Sequence, residues 1–207
     1  VIAARMQLPP TPLAAVSPDT AGLTYRSATA TGTYDPERTI LLAGRVYESA
    51  PGVYLMTPLR LSTAGAVLVN RGFLPSPDAA TVDIRPYLDV GAAQVRGILM
   101  PMPVGEVPPT SGFRRTWFHI DPAALARQLP YALEPLVLQV TPIPGQPLAL
   151  PRPLPPPALD EGPHFSYAIQ WFSFAAIGII GWLALLLRGQ GAERGPGEAR
   201  ESGPPPR

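Results

Sequence analysis

The sequence contains no cysteine and no lysine, and it has only two histidines, His119 and His164. Without cysteine the chain cannot form disulfides, thiolate metal sites, a cysteine nucleophile or a covalent c-type haem attachment. Two imidazoles are too few for one copy of the chain to build a zinc or copper centre from several histidines. All sixteen basic residues are arginine, and a formal net charge of +1 gives no electrostatic argument for nucleic acid binding.

Proline, in contrast, is abundant, with 30 residues among 207. Because proline lacks a backbone N–H, this content argues against long helices in the first three-quarters of the chain and favours loops and strand ends. The first residue is Val1, and no cationic start followed by an apolar core is present, so we expect the chain to be a fragment or a processed product.

One long apolar segment lies near the C-terminus. Residues 167–187 read YAIQWFSFAAIGIIGWLALLL and contain no charge. About 20 apolar residues suffice for a helix to cross a bilayer core of about 30 Å. A charged, Gly/Pro-rich tail follows, which is atypical of a buried core helix. We therefore predict a transmembrane helix over residues 163–188, with Tyr167, Trp171 and Trp182 near the interfaces.

The segments that flank this helix predict its orientation. The tail, residues 189–207, has little to bury and is predicted to be disordered. Its arginine content predicts a cytoplasmic tail and a periplasmic N-terminal region. Because high Ala, Pro and Gly content without lysine is typical of high-GC bacteria, we predict location in the bacterial inner membrane. Residues 141–162 are proline-rich and predicted to be a partly extended spacer, with an SH3-type ligand as the alternative.

Residues 23–140 are predicted to form a β domain on the outer side of the membrane, preceded by an extended segment over residues 1–22. Short runs separated by turn residues predict strands over residues 24–34, 38–48, 53–61, 66–73, 94–100 and 133–140. A short helix is predicted over residues 122–128, with Asp121 as its N-cap and Pro122 as its first residue. The predicted fold is thus mainly β, an antiparallel sheet or open barrel with one short helix, followed by a C-terminal transmembrane α-helix.

Two motifs carry a resemblance to a known family. Residues 69–75 read V-N-R-G-F-L-P, and residues 164–172 read H-F-S-Y-A-I-Q-W-F. They resemble the V-N-R-G-W-V-P and N-H-x-x-Y-A-x-x-W-F signatures of the Surfeit locus 1 family of cytochrome c oxidase assembly factors, in the same order and context. Phe73 replaces the usual tryptophan and Pro163 replaces the asparagine. The family's first membrane helix and W-Q-x-x-R stretch are expected to precede Val1.

The resemblance implies binding of haem a, with His164 as the matched iron ligand. Residues at helical spacing from His164 include Tyr167 and Trp171, followed by Phe174, Gly178 and Gly181, so one face would carry an imidazole, aromatic rings and open space. The positive end of the helix dipole disfavours an imidazolium and so favours a neutral ligand nitrogen. The alternative is that this face packs against another helix and His164 bonds to water or a lipid headgroup.

Arg71 is a second candidate, since Asn70 and Gly72 on either side tolerate positive φ and predict a bend or bulge. Arg71 can bind a haem propionate in a bidentate manner, or it can form a bond to a partner subunit. The alternative is an ion pair with a nearby carboxylate of the β domain.

The remaining histidine and the paired methionines give weaker evidence for a functional site. His119 matches no family histidine and is interpreted as a strand-end or capping residue. Met100 and Met102 have the spacing of a thioether pair for Cu(I), but with no Cys or His beside them we interpret them as core or strand-end residues. No carboxylate pair, phosphate loop or nucleophile elbow stands out.

The resemblance, together with the predicted membrane helix, therefore implies a non-enzymatic, membrane-anchored assembly factor. By resemblance, its partners are haem a synthase and oxidase subunit I, with membrane lipid around the helix, and it would bind haem a or hand it on for insertion. The alternative is a structural subunit of a membrane complex with no cofactor. A copper chaperone is disfavoured by the absence of cysteine.

Overall fold

The structure is a computed structural model that describes residues 2–14, 20–103, 105, 112–147, 149–157 and 164–192. The chain divides into two compact units, Val1–Ala158 and Leu159–Arg207. The first unit holds every strand of the described part, and the second holds one long helix. The predicted combination of a mainly β fold with a C-terminal apolar helix is confirmed.

Eight strands form one sheet within the described part of the first unit. They are β1 (Thr11–Leu13), β2 (Ser27–Tyr34), β3 (Ile40–Tyr47), β4 (Ala50–Leu61), β5 (Ala66–Pro75), β6 (Ala92–Pro101), β7 (Thr116–Trp117) and β8 (Leu133–Val140). The α-helices are α1 (Ile2–Met6), α2 (Pro122–Arg127) and α3 (His164–Ala192), and short 3-10 helices occupy Pro36–Arg38 and Arg85–Tyr87. The six predicted strands correspond to β2 to β6 and β8, whereas β1, β7 and α1 were not predicted.

Five of the strands close into a barrel. β2 pairs with β4 and β6, β6 pairs with β8, β8 pairs with β5, and β5 pairs with β4. Counted along the chain, the ring order is 1-2-3-5-4, which is the connectivity of a five-stranded Greek-key barrel of the OB type. Only the β5–β8 pair of this ring is parallel. Parallel neighbours need a long crossover, and here β6 and α2 lie between them in sequence.

Apolar residues are divided among three clusters by the alternation of side chains along the strands. The barrel interior is filled by small and branched residues such as Ala28, Ala30, Leu59, Val67, Val69 and Leu138. Outside the barrel, Ile40 and Leu42 pack with Trp117, while Leu41 and Ala43 face the opposite side and pack with Ile84. Because both faces of β3 are covered, its first half is a continuous apolar run rather than an alternating one.

The predicted helix cap is present at α2. The Asp121 carboxylate accepts hydrogen bonds from the backbone N–H groups of Ala123 at 2.9 Å and Ala124 at 3.0 Å. Two of the N–H groups that a helix start leaves without partners are thereby satisfied. Leu125 on the same helix is fully buried against the second apolar cluster, which fixes α2 on the sheet.

Part of the proline-rich segment, which was predicted to be a partly extended spacer, packs against the barrel. Residues 150–157, here called the strap, cross the end of β5. Phe73 and Arg152 exchange two backbone N–H···O bonds of 2.8 Å, and the Arg152 guanidinium donates to the Glu48 carboxylate at 2.7 Å. Leu154 is buried at 6% exposure. Prolines lack donors, but the one arginine among them supplies the N–H that docking needs.

Leu154→Ala should loosen the strap, because it removes the buried side chain that fastens it to the barrel. We expect the backbone amides of Phe73 and Arg152 to exchange with solvent deuterium at least about tenfold faster in the variant. Leu150→Ala is the matched control, since Leu150 lies in the same segment at 45% exposure. Equal exchange rates in the two variants would show that Leu154 does not hold the strap.

The second unit contains α3, and its stretch Ser166–Leu187 is 22 residues long with a mean hydropathy of 1.9. By length and composition the helix is able to cross a membrane, and its most apolar part is not buried in the structure. The helix continues to Ala192, beyond the predicted end at residue 188. A single glycine such as Gly189 is tolerated in a helix, and the first proline after it is Pro196. The remainder of the predicted tail lies outside the described residues.

Candidate functional site

Arg71 lies in a β-bulge of β5. Leu55 of β4 pairs with Gly72 and Met56 pairs with Asn70, so Arg71 has no residue opposite it. The Asn70 side-chain oxygen accepts a hydrogen bond from the backbone N–H of Gly72 at 3.1 Å, and Gly72 has φ +134°. This confirms the predicted bulge. Such an insertion bends the strand and re-aims the side chain of the unpaired residue.

The Arg71 guanidinium is held by three neighbours. It donates to the backbone carbonyl of Tyr87 and to the Asp89 carboxylate, and it lies over the Tyr34 ring, 5.2 Å from the centroid. The Arg71 side chain is 10% exposed, whereas that of Asp89 is 62% exposed. The expected ion pair with a carboxylate of the β domain is therefore present. Binding of a haem propionate at Arg71 stays a prediction.

Burial raises the pKa of the Tyr34 phenol, the Arg71 cation lowers it in part, and Asp89 raises it. The phenol therefore remains neutral at physiological pH and presents an O–H group and an apolar ring beneath Arg71. Because the Tyr34 ring is neutral and the Tyr87 carbonyl carries no net charge, the exposed Asp89 is the one charged group among these three partners of Arg71.

Arg71, Tyr34 and Asp89 line a groove of about 730 Å³ on the barrel unit, here called the Arg71 groove. Arg96 and Gln94 of β6 add a second cation and an amide. The rest of the lining is largely apolar and comes mainly from β6, β8 and the proline-rich segment, including Ile98, Val140, Ile143, Pro151 and Pro156. The groove thus combines two cations with a rigid apolar wall.

The other predicted site residues lie on α3. Tyr167 and Trp171 are 58% and 70% exposed, and the Trp171 ring meets that of Phe174 edge-on at 6.1 Å. A Cβ added at Gly178 or Gly181 would meet nothing within 4 Å, so this part of the helix surface is open. His164 is the first residue of α3, and its side chain lies outside the described part of the structure.

The predicted site residues are therefore divided between the two units, with Arg71 in the first and the other three on α3. Tyr34, Asp89 and Gln94, which surround the Arg71 groove, were not predicted. They come from β2, a loop and β6, and no local pattern marks them because the barrel closure alone brings them to Arg71.

The methionine candidates have structural roles. Met102 is buried in the same apolar cluster as Trp117, and Met100 is part of β6, which agrees with their interpretation as core and strand-end residues. His119 is exposed two residues beyond β7. Among the described residues, no three His, Asp or Glu side chains are grouped so as to hold a metal ion.

Comparison with known proteins gives consistent matches. A model of the SURF1 family matches residues 1–176. A SURF1-like protein of Monosiga brevicollis is 28% identical over 99% of this chain and 80% of its own length. Uncharacterized SURF1-like proteins of Mycobacterium bovis and Mycobacterium tuberculosis are 30% identical over 85% of this chain and 66% of their own length. The chain therefore spans about two-thirds of these mycobacterial relatives.

Proposed function

Because the chain belongs to the SURF1 family, which supports a general role in cytochrome c oxidase assembly, we propose that it handles haem a during that assembly. In this proposal α3 anchors the protein in the bacterial inner membrane. The protein holds haem a, or receives it from haem a synthase, and supports its insertion into oxidase subunit I. Haem a is cargo, and the protein contributes ligation, shape and exclusion of water without covalent catalysis.

The observation that carries the proposal is an exposed apolar helix that begins with a histidine. A porphyrin is flat and mostly apolar, so it suits a helix face with accessible rings at Tyr167 and Trp171 and open space at Gly178. A histidine in the first helical turn is biased towards the neutral imidazole, which is the form that binds iron. One chain offers one axial ligand on this helix.

The anchoring part of the proposal is supported by the apolar composition of Ser166–Leu187. Arginines at and beyond residue 188 favour a cytoplasmic C-terminus, so the proposal has the barrel unit on the periplasmic side. In this orientation, the imidazole in the first turn of α3 would lie near the outer membrane interface. A cargo held there stays in the lipid phase while the barrel meets partner proteins in the periplasm.

His164→Ala should abolish haem a co-purification with the full-length protein expressed in cells that make haem a. The reason is loss of the axial nitrogen, which no other side chain of α3 replaces. His119→Ala is the matched control, because it removes the other histidine of the chain from the barrel unit. The measurement is the Soret absorbance per mole of purified protein, together with membrane extraction to confirm insertion.

Equal haem content in the two variants would reject His164 as the ligand. A haem-free wild-type protein that co-purifies stoichiometrically with mature oxidase would favour a structural subunit instead. In that case the exposed rings of α3 would serve helix–helix packing.

A further inference from the structure

The Arg71 groove has the dimensions and chemistry of a small-molecule site. Its volume of about 730 Å³ falls within the range of about 300–1,000 Å³ that is typical of ligand pockets. Ligand pockets are mostly apolar and contain a few polar groups that fix orientation. Here the charged and amide groups are Arg71, Arg96, Asp89 and Gln94, with hydroxyls from Tyr34, Ser27 and Thr141. The apolar lining includes four prolines, whose restricted backbone lowers the entropic cost of binding.

The bulge explains why Arg71 faces this groove. A regular β5 would place residue 71 in the ladder opposite β4, but the extra residue between the pairs Leu55–Gly72 and Met56–Asn70 takes it out of register. Asn70 stabilises the bulge through the N–H of Gly72, and Gly72 leaves room for the strap carbonyl of Arg152, which would lie 2.3 Å from a Cβ. The motif thus positions both the cation and the proline wall of the groove.

The charge on Arg71 has a replaceable partner. The arginine is 10% exposed while its counter-ion Asp89 is 62% exposed, on a loop that lines the groove. A ligand carboxylate that displaces Asp89 restores the same ion pair at Arg71, and Asp89 moves fully into water. Arg71 keeps a charged partner throughout and the exposed Asp89 regains its hydration, so the net cost of this exchange is small. The new contact is again a charge-assisted hydrogen bond.

We propose that the Arg71 groove is a binding site for an amphipathic organic carboxylate. The carboxylate pairs with Arg71 in place of Asp89, and the apolar body of the ligand lies along Ile143, Pro151 and Pro156. Where the ligand has a second carboxylate, Arg96 donates hydrogen bonds to it. Flat porphyrin dicarboxylates and aliphatic fatty acids share this chemistry. The site lies within the barrel unit, so it requires neither iron nor His164.

The test uses the purified full-length protein in detergent and three probes. They are metal-free protoporphyrin IX, which carries two carboxylates and no iron, its dimethyl ester, which is uncharged, and laurate as a competitor. We expect the free acid to bind at least about tenfold more tightly than the ester, because the ester cannot pair with Arg71. Displacement by laurate would assign the site to aliphatic acids as well, and failure of displacement would restrict it to flat dicarboxylates.

Substitutions in and near the Arg71 groove test whether the acid binds there. Arg71→Gln should remove the preference for acid over ester. Asp89→Asn should tighten acid binding by about three- to tenfold, because it removes the competing carboxylate at an exposed position. Asp83→Asn is the matched control, since Asp83 lies in the same connection but pairs with Arg85 at 2.8 Å. Because metal-free porphyrin carries no iron, its binding at Arg71 is measured independently of haem ligation on α3.

Equal binding of acid and ester to the wild-type protein would overturn the proposal. So would identical acid affinities in Asp89→Asn and Asp83→Asn. This second comparison holds even if Arg71→Gln fails to fold.

Discussion

Gly72→Ala should destabilise the barrel unit by about 3 kcal/mol or more, the sum of backbone strain and overpacking. Gly72 adopts φ +134°, which L side chains rarely adopt. In addition, its Cβ would lie 2.3 Å from the carbonyl oxygen of Arg152, a backbone atom that cannot rotate away. Relief of this clash requires the strap to leave β5 or the bulge at Arg71 to rearrange.

Gly91→Ala is the matched control for Gly72→Ala. Gly91 also has positive φ, +100°, but nothing lies within 4 Å of its added Cβ. It should therefore suffer backbone strain alone, about 1–3 kcal/mol, and the difference between the variants measures the clash with the strap. Urea unfolding of the full-length protein, followed by circular dichroism of the β signal, gives both values. Equal destabilisation would mean that the strap does not approach β5 as closely as the structure shows.

Trp117→Ala should cost about 3–5 kcal/mol of unfolding free energy, the usual range for a buried aromatic residue. Trp117 is 1% exposed at the centre of the cluster between the sheet and α2. Its indole N–H donates to the backbone carbonyl of Arg114 at 2.8 Å, and the Arg114 guanidinium lies 5.2 Å from the ring centroid. Loss of the ring would leave a cavity and weaken the attachment of β7 and α2.

The neighbouring residue provides the control for Trp117→Ala. Phe118 is 57% exposed, so Phe118→Ala should change the unfolding free energy by less than about 1 kcal/mol. The same urea titrations by circular dichroism compare the two variants. A cost of less than about 1 kcal/mol for Trp117→Ala would show that the cluster over α2 contributes little to the fold.

The sequence predicted the elements that depend on local signals. Turn residues such as Pro51-Gly52 delimit the strands, and Asp121 followed by Pro122 marks the start of α2 by satisfying its free N–H groups. The apolar run of α3 is likewise local, because hydropathy alone determines whether a helix suits a bilayer. Each of these features is carried by residues that are adjacent in the chain.

Features that depend on distant pairing were not predicted. β7 consists of two residues, Thr116 and Trp117, that pair in parallel with β3, which is too short a run to give a periodic pattern. Docking of the strap requires one backbone pair between Phe73 and Arg152, and in a proline-rich run nothing local distinguishes this from an extended spacer. Arg71 could be located in a bulge from its neighbours Asn70 and Gly72, but its partner Asp89 is a consequence of barrel closure.

We propose that this protein carries haem a on a membrane helix. The most direct measurement is a pyridine haemochrome assay on full-length protein purified from membranes of cells that make haem a. We expect a haem a signal that is retained in His119→Ala and lost in His164→Ala. A wild-type protein that is inserted, folded and free of haem a would contradict it.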